Sequence, residues 1–225
     1  MSEFDLAATL EEFCSHATYV EEDGRSKLQD LLFKTQKTIA TLLLGLLASK
    51  QYELISKFLK KVNRYPEECA IFLNSNELNT ICEDIAKVDN HEELKLNFTQ
   101  LFLRDVSSNG ISLSAILSPS ISWVASDSLE LSDTCSQVLT LLAAKDISTA
   151  DVVVTQIMLQ LEVVKDDSTK YLRYLCLLAS FMKISSEYFL LCEAKGATAV
   201  VIASVSSSQE VQQQLKLLLE SIHSH

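Results

Sequence analysis

The stretch YLRYLCLLASFMKISSEYFLLCEAKGATAVVIAS, residues 171–204, decides the fold class. Apolar residues recur along it at helical spacing, and two short breaks divide it into three segments. The first break falls after Phe181-Met182-Lys183. The second is Lys195-Gly196, where glycine supplies a helix stop. The spacing predicts helices over 168–183, 187–194 and 197–205, with a further amphipathic helix over 209–223. Val200–Val205 is rich in β-branched residues, as is Val152–Val154. Both sit inside segments with helical spacing, and no partner strands with turn signals lie nearby, so helix is the expectation for each.

The same periodicity extends upstream. It predicts a first helix over 3–18, with Ser2 and Asp5 as a capping pair, and a long helix over 27–48 carrying Leu28, Leu31, Leu32, Ile39, Leu42, Leu43, Leu46 and Leu47 on one broad face. Further helices are expected over 52–62, from Pro66 to 73, and over 77–88, 91–106, 133–145 and 149–165. Asn90 with Glu93, Ser148 with Asp151, and Ser207 with Glu210 have capping-box spacing. Connections of two to five residues make consecutive helices antiparallel or steeply crossed neighbours. Residues 107–136 read differently. They hold eleven serines, Pro119 and the sole tryptophan, Trp123. The expectation there is an irregular connection with Ile116, Ile121 and Trp123 on the core, its helical content limited to a short piece near 113–117. Ser118-Pro119 has the form of a phosphorylation site on such a loop.

Composition agrees. Among 225 residues there are only four glycines and two prolines, too few turn formers for an all-β sandwich or barrel, while 48% apolar content and a mean hydropathy of +0.16 suffice for a large core. The net charge of −11 argues against a nucleic-acid binder held by counterion release. Residues 1–24 contain seven acids and no Lys or Arg, the reverse of a secretion signal's basic start. The longest uncharged apolar run, 38–49, is shorter than a membrane span. Six scattered cysteines without a CxxC read as reduced thiols, which suits the cytoplasm or nucleus.

No catalytic signature emerges. There is no GxSxG, no phosphate-cradling glycine loop and no second Cys/His pair beside Cys14 and His16, so neither a cofactor nor a metal is expected. Every cysteine is flanked by apolar helical residues, as in Leu175-Cys176-Leu177, and reads as core. The acid pairs Glu67-Glu68 and Glu92-Glu93 stand near helix starts, where the macrodipole favours them.

Charge is segregated instead. Residues 25–64 carry nine cations and two acids inside an otherwise acidic chain. On the helix over 52–64, Lys57, Lys60, Lys61 and Arg64 fall within about 100° of one another, opposite Leu54, Ile55, Phe58, Leu59 and Val62. This stripe is a solvated face partly neutralised by the acidic first helix, or a docking patch for an acidic partner segment or phosphate, or else a contact for nucleic acid or an anionic membrane.

The C-terminal third resembles an armadillo-type repeat. Gly196-Ala197 falls where that family has its Gly-Ala turn, Val201 and Ile202 sit in its second helix, and Ser207 with Glu210-Val211-Gln212 matches the entry to its third. Leu215 stands where the family usually has a small Ala. The likeness is clearest over 168–222 and fainter over 66–106. It implies a right-handed α-solenoid of armadillo- or HEAT-like repeats. The residues alone also admit an irregular closed helical bundle. The organisation expected is one all-helical domain, 1–225: N-terminal helices over 1–65 that could serve as a cap, a repeat-like part over 66–106, the Ser-rich connection 107–136, and armadillo-like repeats over 137–225.

The function implied is non-enzymatic: a scaffold or adaptor whose helical-repeat surface binds a peptide or helix of another protein, with no small-molecule substrate and no membrane insertion. The alternative is an obligate structural subunit of a larger intracellular complex. Repeated Trp and Asn, which armadillo proteins use to hold basic import signals, are missing here.

Overall fold

The computed structural model describes residues 3–15, 27–105 and 113–207, together with Gln213. Among the described residues the secondary structure is thirteen α-helices and no strand. The chain divides into two compact units, ending and beginning at Pro119 and Ser120.

The first unit is organised around α4 (Tyr52–Val62), with α1 (Glu3–Ser15), α3 (Ile39–Ala48), α5 (Pro66–Leu73) and α7 (Glu92–Asp105) packed on it. The reason lies in the α4 sequence. Leu54, Ile55, Phe58, Leu59 and Val62 all face inward and are buried, so one narrow helix carries a wide apolar face that several neighbours can share. Phe13 of α1 lies 5.9 Å from Phe58 between ring centroids, and Phe98 and Phe102 of α7 meet edge-on at 5.3 Å. The α4–α7 seam also contains a buried polar pair. Asn97 Nδ2 donates to Ser56 Oγ at 2.8 Å, which satisfies both groups away from water. The helices α2 (Lys27–Thr35) and α6 (Leu78–Ala86) complete the unit against α1 and α3 respectively.

The second unit has a different plan. Its helices are α9 (Leu129–Ala143), α10 (Ile147–Val163), α11 (Ser168–Met182), α12 (Ser186–Ala194) and α13 (Ala197–Ser207), after the end of α8 (Leu113–Trp123). From α9 onward each helix packs on the next and on the one after it. Tyr174, Leu175, Leu178 and Phe181 of α11 are fully buried at the centre. Tyr174 Oη donates to the Ile121 carbonyl at 2.7 Å and Tyr188 Oη to the Ala143 carbonyl at 2.8 Å, so two buried hydroxyls cap carbonyls at helix ends.

The structure departs from the sequence reading at four places. The helix expected over 27–48 is two helices, α2 and α3, bent by 67°. Gln36 adopts φ +53°, with its N–H on Phe33 O and that of Lys37 on Leu32 O, a Schellman closure without glycine. Thr38 and Thr41 then cap each other reciprocally at the start of α3. Apolar periodicity runs straight through this break, because both helices need the same buried spacing. No single described helix is long and apolar enough to cross a membrane.

The Ser-rich connection is mostly helical as well. It contains α8, with Pro119 inside it, and the first half of α9, capped by Ser128 on the Leu131 N–H. Burial of Ile116, Ile121, Trp123 and Val124 outweighs the backbone bond lost at proline. The core placement expected for Ile116, Ile121 and Trp123 is found. Ser118 is exposed but helical, not on a loop.

At α10 the cap is Asp146, not Ser148. Asp146 Oδ1 accepts from the Thr149 N–H at 2.8 Å, and hydrogen bonds from Ser148 and Thr149 hold its carboxyl at about 2. At α7 Asn90 is no cap either. It takes φ +59° and closes the corner, and the first helical bond runs from the Lys95 N–H to His91 O. Ser2 lies outside the described residues; Ser207 is the last residue of α13, and its expected capping partner Glu210 lies outside them.

A left-handed non-glycine residue costs about 1 kcal/mol or more, part of which glycine returns as unfolded-chain entropy. Gln36→Gly is therefore expected to raise the thermal midpoint by about 2 °C and Gln36→Val to lower it, read by thermal denaturation.

Candidate functional site

The four cations of the α4 stripe do not share one environment. Lys57 and Lys60 are exposed on the helix surface, and Lys60 Nζ lies 3.8 Å from Glu93 of α7 with both side chains about 70% exposed. Arg64, just past the end of α4, is also exposed. Lys61 is different. Its ammonium donates to the Phe13 carbonyl and sits 5.0 Å above the Phe13 ring. Phe13 O belongs to the last turn of α1, where carbonyls lack intrahelical partners, so Lys61 acts as a C-terminal cap for another helix. Desolvation by this packing lowers its pKa, and the positive charge of Lys27 pushes the same way. The helical wheel places Lys61 among its neighbours but has no knowledge of α1, which is why the sequence reading groups all four.

Lys57 borders a cleft of about 900 Å³ between the end of α1, the α3–α4 corner and the start of α7. Glu11, Cys14, Lys50, Tyr52 and His91 also line it. Lys50 reaches it from a left-handed corner residue, φ +55°, and the Tyr52 and His91 rings pack at 4.8 Å. His91 and Lys50 are far from α4 in sequence or outside its helical face, so only the fold gathers this set. The cleft joins a thiol, an imidazole and carboxylates, the types that nucleophilic catalysis uses. The thiol is wrong for that task. Burial pushes Cys14 up to about 11, more than nearby Lys61 and Lys57 pull it down, so it stays protonated at neutral pH. Among the described residues no group of three or more His, Cys, Asp or Glu side chains is placed to hold a metal ion. His16 lies outside the described residues.

All six cysteines are free thiols, four of them buried and Cys14 and Cys176 half-buried. Burial also raises Cys82 to about 12 and Cys192 to about 11, as befits core residues.

In the second unit α9 and α11 lie side by side with their N-termini at the same end. Lys170 Nζ is 3.8 Å from Asp127 Oδ1, and the Arg173 guanidinium donates to the Ser126 carbonyl. Between the two helices runs a groove of about 480 Å³. Leu129, Ser132, Asp133, Ser136, Gln137 and Thr140 face it from α9, and six α11 residues from Thr169 to Ser180 face it at the same intervals of three and four. Several hydroxyls turn back on their own helices: Ser136 to Ser132 O at 2.9 Å, Thr140 to Ser136 O at 2.8 Å, Ser180 to Leu177 O at 2.7 Å. That leaves Asp133 and Gln137 as the exposed polar groups of α9 on the groove. The sequence reading missed this groove. The matched intervals were visible in each helix, but nothing in sequence says that two helices forty residues apart are neighbours.

No family model and no curated protein matches the chain. A solved crystal structure of an engineered protein is similar over the full length of both chains, at 14% identity and a TM-score of 0.48. A likeness at that level carries no statement about activity.

Proposed function

We propose that this chain is a non-enzymatic scaffold or adaptor that binds a segment of another protein along a helical-repeat surface. The finer fold reading belongs with it: an armadillo- or HEAT-like right-handed solenoid in the second unit. The carrying observation is the α9–α11 groove, a long concavity with matched side-chain rows contributed by two helices of the same direction. Stacked repeats expose such grooves because each unit buries its apolar face on the next and leaves the opposite face free. The protonated Cys14 thiol supports the non-enzymatic part, and the free cysteines support an intracellular site, cytoplasm or nucleus. No small molecule, cofactor or nucleic acid enters this reading.

Cross-linking mass spectrometry on the tagged full-length chain in its native cell identifies the partner. Asp133→Lys with Gln137→Lys is expected to weaken that partner at least tenfold without moving the thermal midpoint, since both residues are exposed. Unchanged association overturns the groove.

The basic stripe is a second contact under this proposal, with an acidic segment as its ligand. Lys57→Glu with Lys60→Glu is expected to slow association, more at low salt than at high salt, with stability changed by less than about 0.5 kcal/mol. Lys61→Met is expected to cost about 0.5–1 kcal/mol in denaturant unfolding, because it uncaps α1. Normal association in the double variant makes the stripe a solvated face only.

An obligate structural subunit is the other reading. Exposed Phe33 and Ile71, each 72% accessible, favour it, because permanent interfaces bury such residues. Sedimentation separates the two: a scaffold is a stable soluble monomer alone, and a subunit is not.

A further inference from the structure

The walls of the α9–α11 groove have few hydrogen-bond donors left for an occupant. Five hydroxyls line it, and four of them spend their hydrogen on carbonyls of their own unit. Ser132 donates to Val124 O at 2.7 Å, Ser136 to Ser132 O at 2.9 Å, Thr140 to Ser136 O at 2.8 Å and Ser180 to Leu177 O at 2.7 Å. These oxygens still accept but have nothing to donate. The remaining donors are Gln137 on α9, Thr169 and Arg173 in the first half of α11, and the weak Cys176 thiol. The rest of the lining is apolar: Leu129, 64% exposed, half-buried Leu172 and buried Leu177. An extended segment carries a C=O and an N–H at every residue, and those turned to the wall need partners there. A helix satisfies its own backbone and presents only side chains.

Two charged side chains line the groove, Asp133 from α9 and Arg173 from α11. Neither forms an ion pair with a described residue. Asp133 is exposed. Arg173 is half-buried, and its bond to the Ser126 carbonyl holds the guanidinium towards the end where α9 begins. The two charges stand on opposite walls, so they ask for opposite signs on the two edges of whatever lies between them.

We propose that the groove takes an α-helix of another protein rather than an extended segment. That helix has an apolar seam at intervals of three and four residues, Lys or Arg on the edge beside Asp133, and Asp or Glu on the edge beside Arg173. The inference rests on the scaffold reading and names the kind of partner that the same groove accepts.

A phage-displayed library of random peptides, about four helical turns long, selected on the full-length chain, tests it. The expected enriched sequences have that seam and those two edges. A synthetic peptide of such a sequence is expected to gain helical circular dichroism on binding. It is expected to bind the Asp133→Lys variant at least tenfold more weakly, with an unchanged thermal midpoint showing that the variant folds. Reversing the peptide's facing Lys or Arg to Glu is expected to restore binding to that variant, which a merely disturbed groove would not allow. Enriched peptides that depend on Asp133 but bind without gaining helix overturn the proposal and leave the scaffold reading standing. Helical peptides that bind Asp133→Lys as well as the original chain occupy another surface and overturn it too. Sedimentation of the chain alone covers the remaining occupant: self-association abolished by Asp133→Lys would place a second copy in the groove and overturn the proposal. Selection that enriches no peptide overturns both the proposal and the scaffold reading.

Discussion

Phe58→Ala is expected to destabilise the first unit by about 3–5 kcal/mol, the range for emptying a fully buried aromatic site. Phe58 has no accessible surface and stands where α1 meets α4, against Phe13. Its loss leaves a void on the inner face of a helix that four others use, so collapse to fill it would require moves in several helices at once. Whole domains are commonly stable by only about 5–15 kcal/mol, so this one change removes a large share. Hydrogen exchange read by mass spectrometry over residues 52–62 and 92–105 is the measurement. Protection lost in both segments is the expected outcome. Protection retained in 92–105 would mean that α7 does not depend on α4 for its packing.

Tyr174→Ala is expected to have an effect of similar size in the second unit, about 3–5 kcal/mol, and Tyr174→Phe about 1–2 kcal/mol. The difference separates ring from hydroxyl. The ring fills the centre of the α11 contact face, and the hydroxyl satisfies the Ile121 carbonyl at the end of α8. The same residue sets part of the alkaline stability. Burial, with a smaller contribution from Cys135, raises the Tyr174 phenol to about 12 from an ordinary value near 10. Its stabilisation is complete below the unfolded value and lost as pH rises from about 10 towards 12, because the unfolded chain releases its proton first. The buried thiols of Cys14, Cys82 and Cys192 act in the same direction from about pH 9 upward. Urea midpoints measured from pH 8 to 12 should therefore fall, and Tyr174→Phe should flatten the upper part of that fall. A variant curve parallel to wild type would remove Tyr174 from the account.

Helix identity was legible in residues read locally. The 3.6-residue recurrence of apolar side chains, Pro66 opening α5 and Gly196 closing α12 at φ +76° are each properties of one short segment. The β-branched runs at 152–154 and 200–205 were correctly read as helix for the same reason: spacing, not propensity, decides which face can be buried. The basic stripe was legible too, as a row on a wheel.

What local reading could not supply was anything that depends on two segments meeting. The break at Gln36 is invisible in periodicity because α2 and α3 bury the same kind of face on either side of it. The helix at 113–123 forms because Ile116, Ile121 and Trp123 find buried positions, which overrides the signals of Ser and Pro in its own sequence. Lys61 is a cap only because Phe13 O arrives beside it, and Lys50 and His91 join Lys57 only across a folded cleft. Val152, Leu159 and Val163 look like core residues in sequence. Hydrophobicity tells a residue to leave water but not which neighbour will cover it, and on α10 packing used one side of the helix and left these three outside.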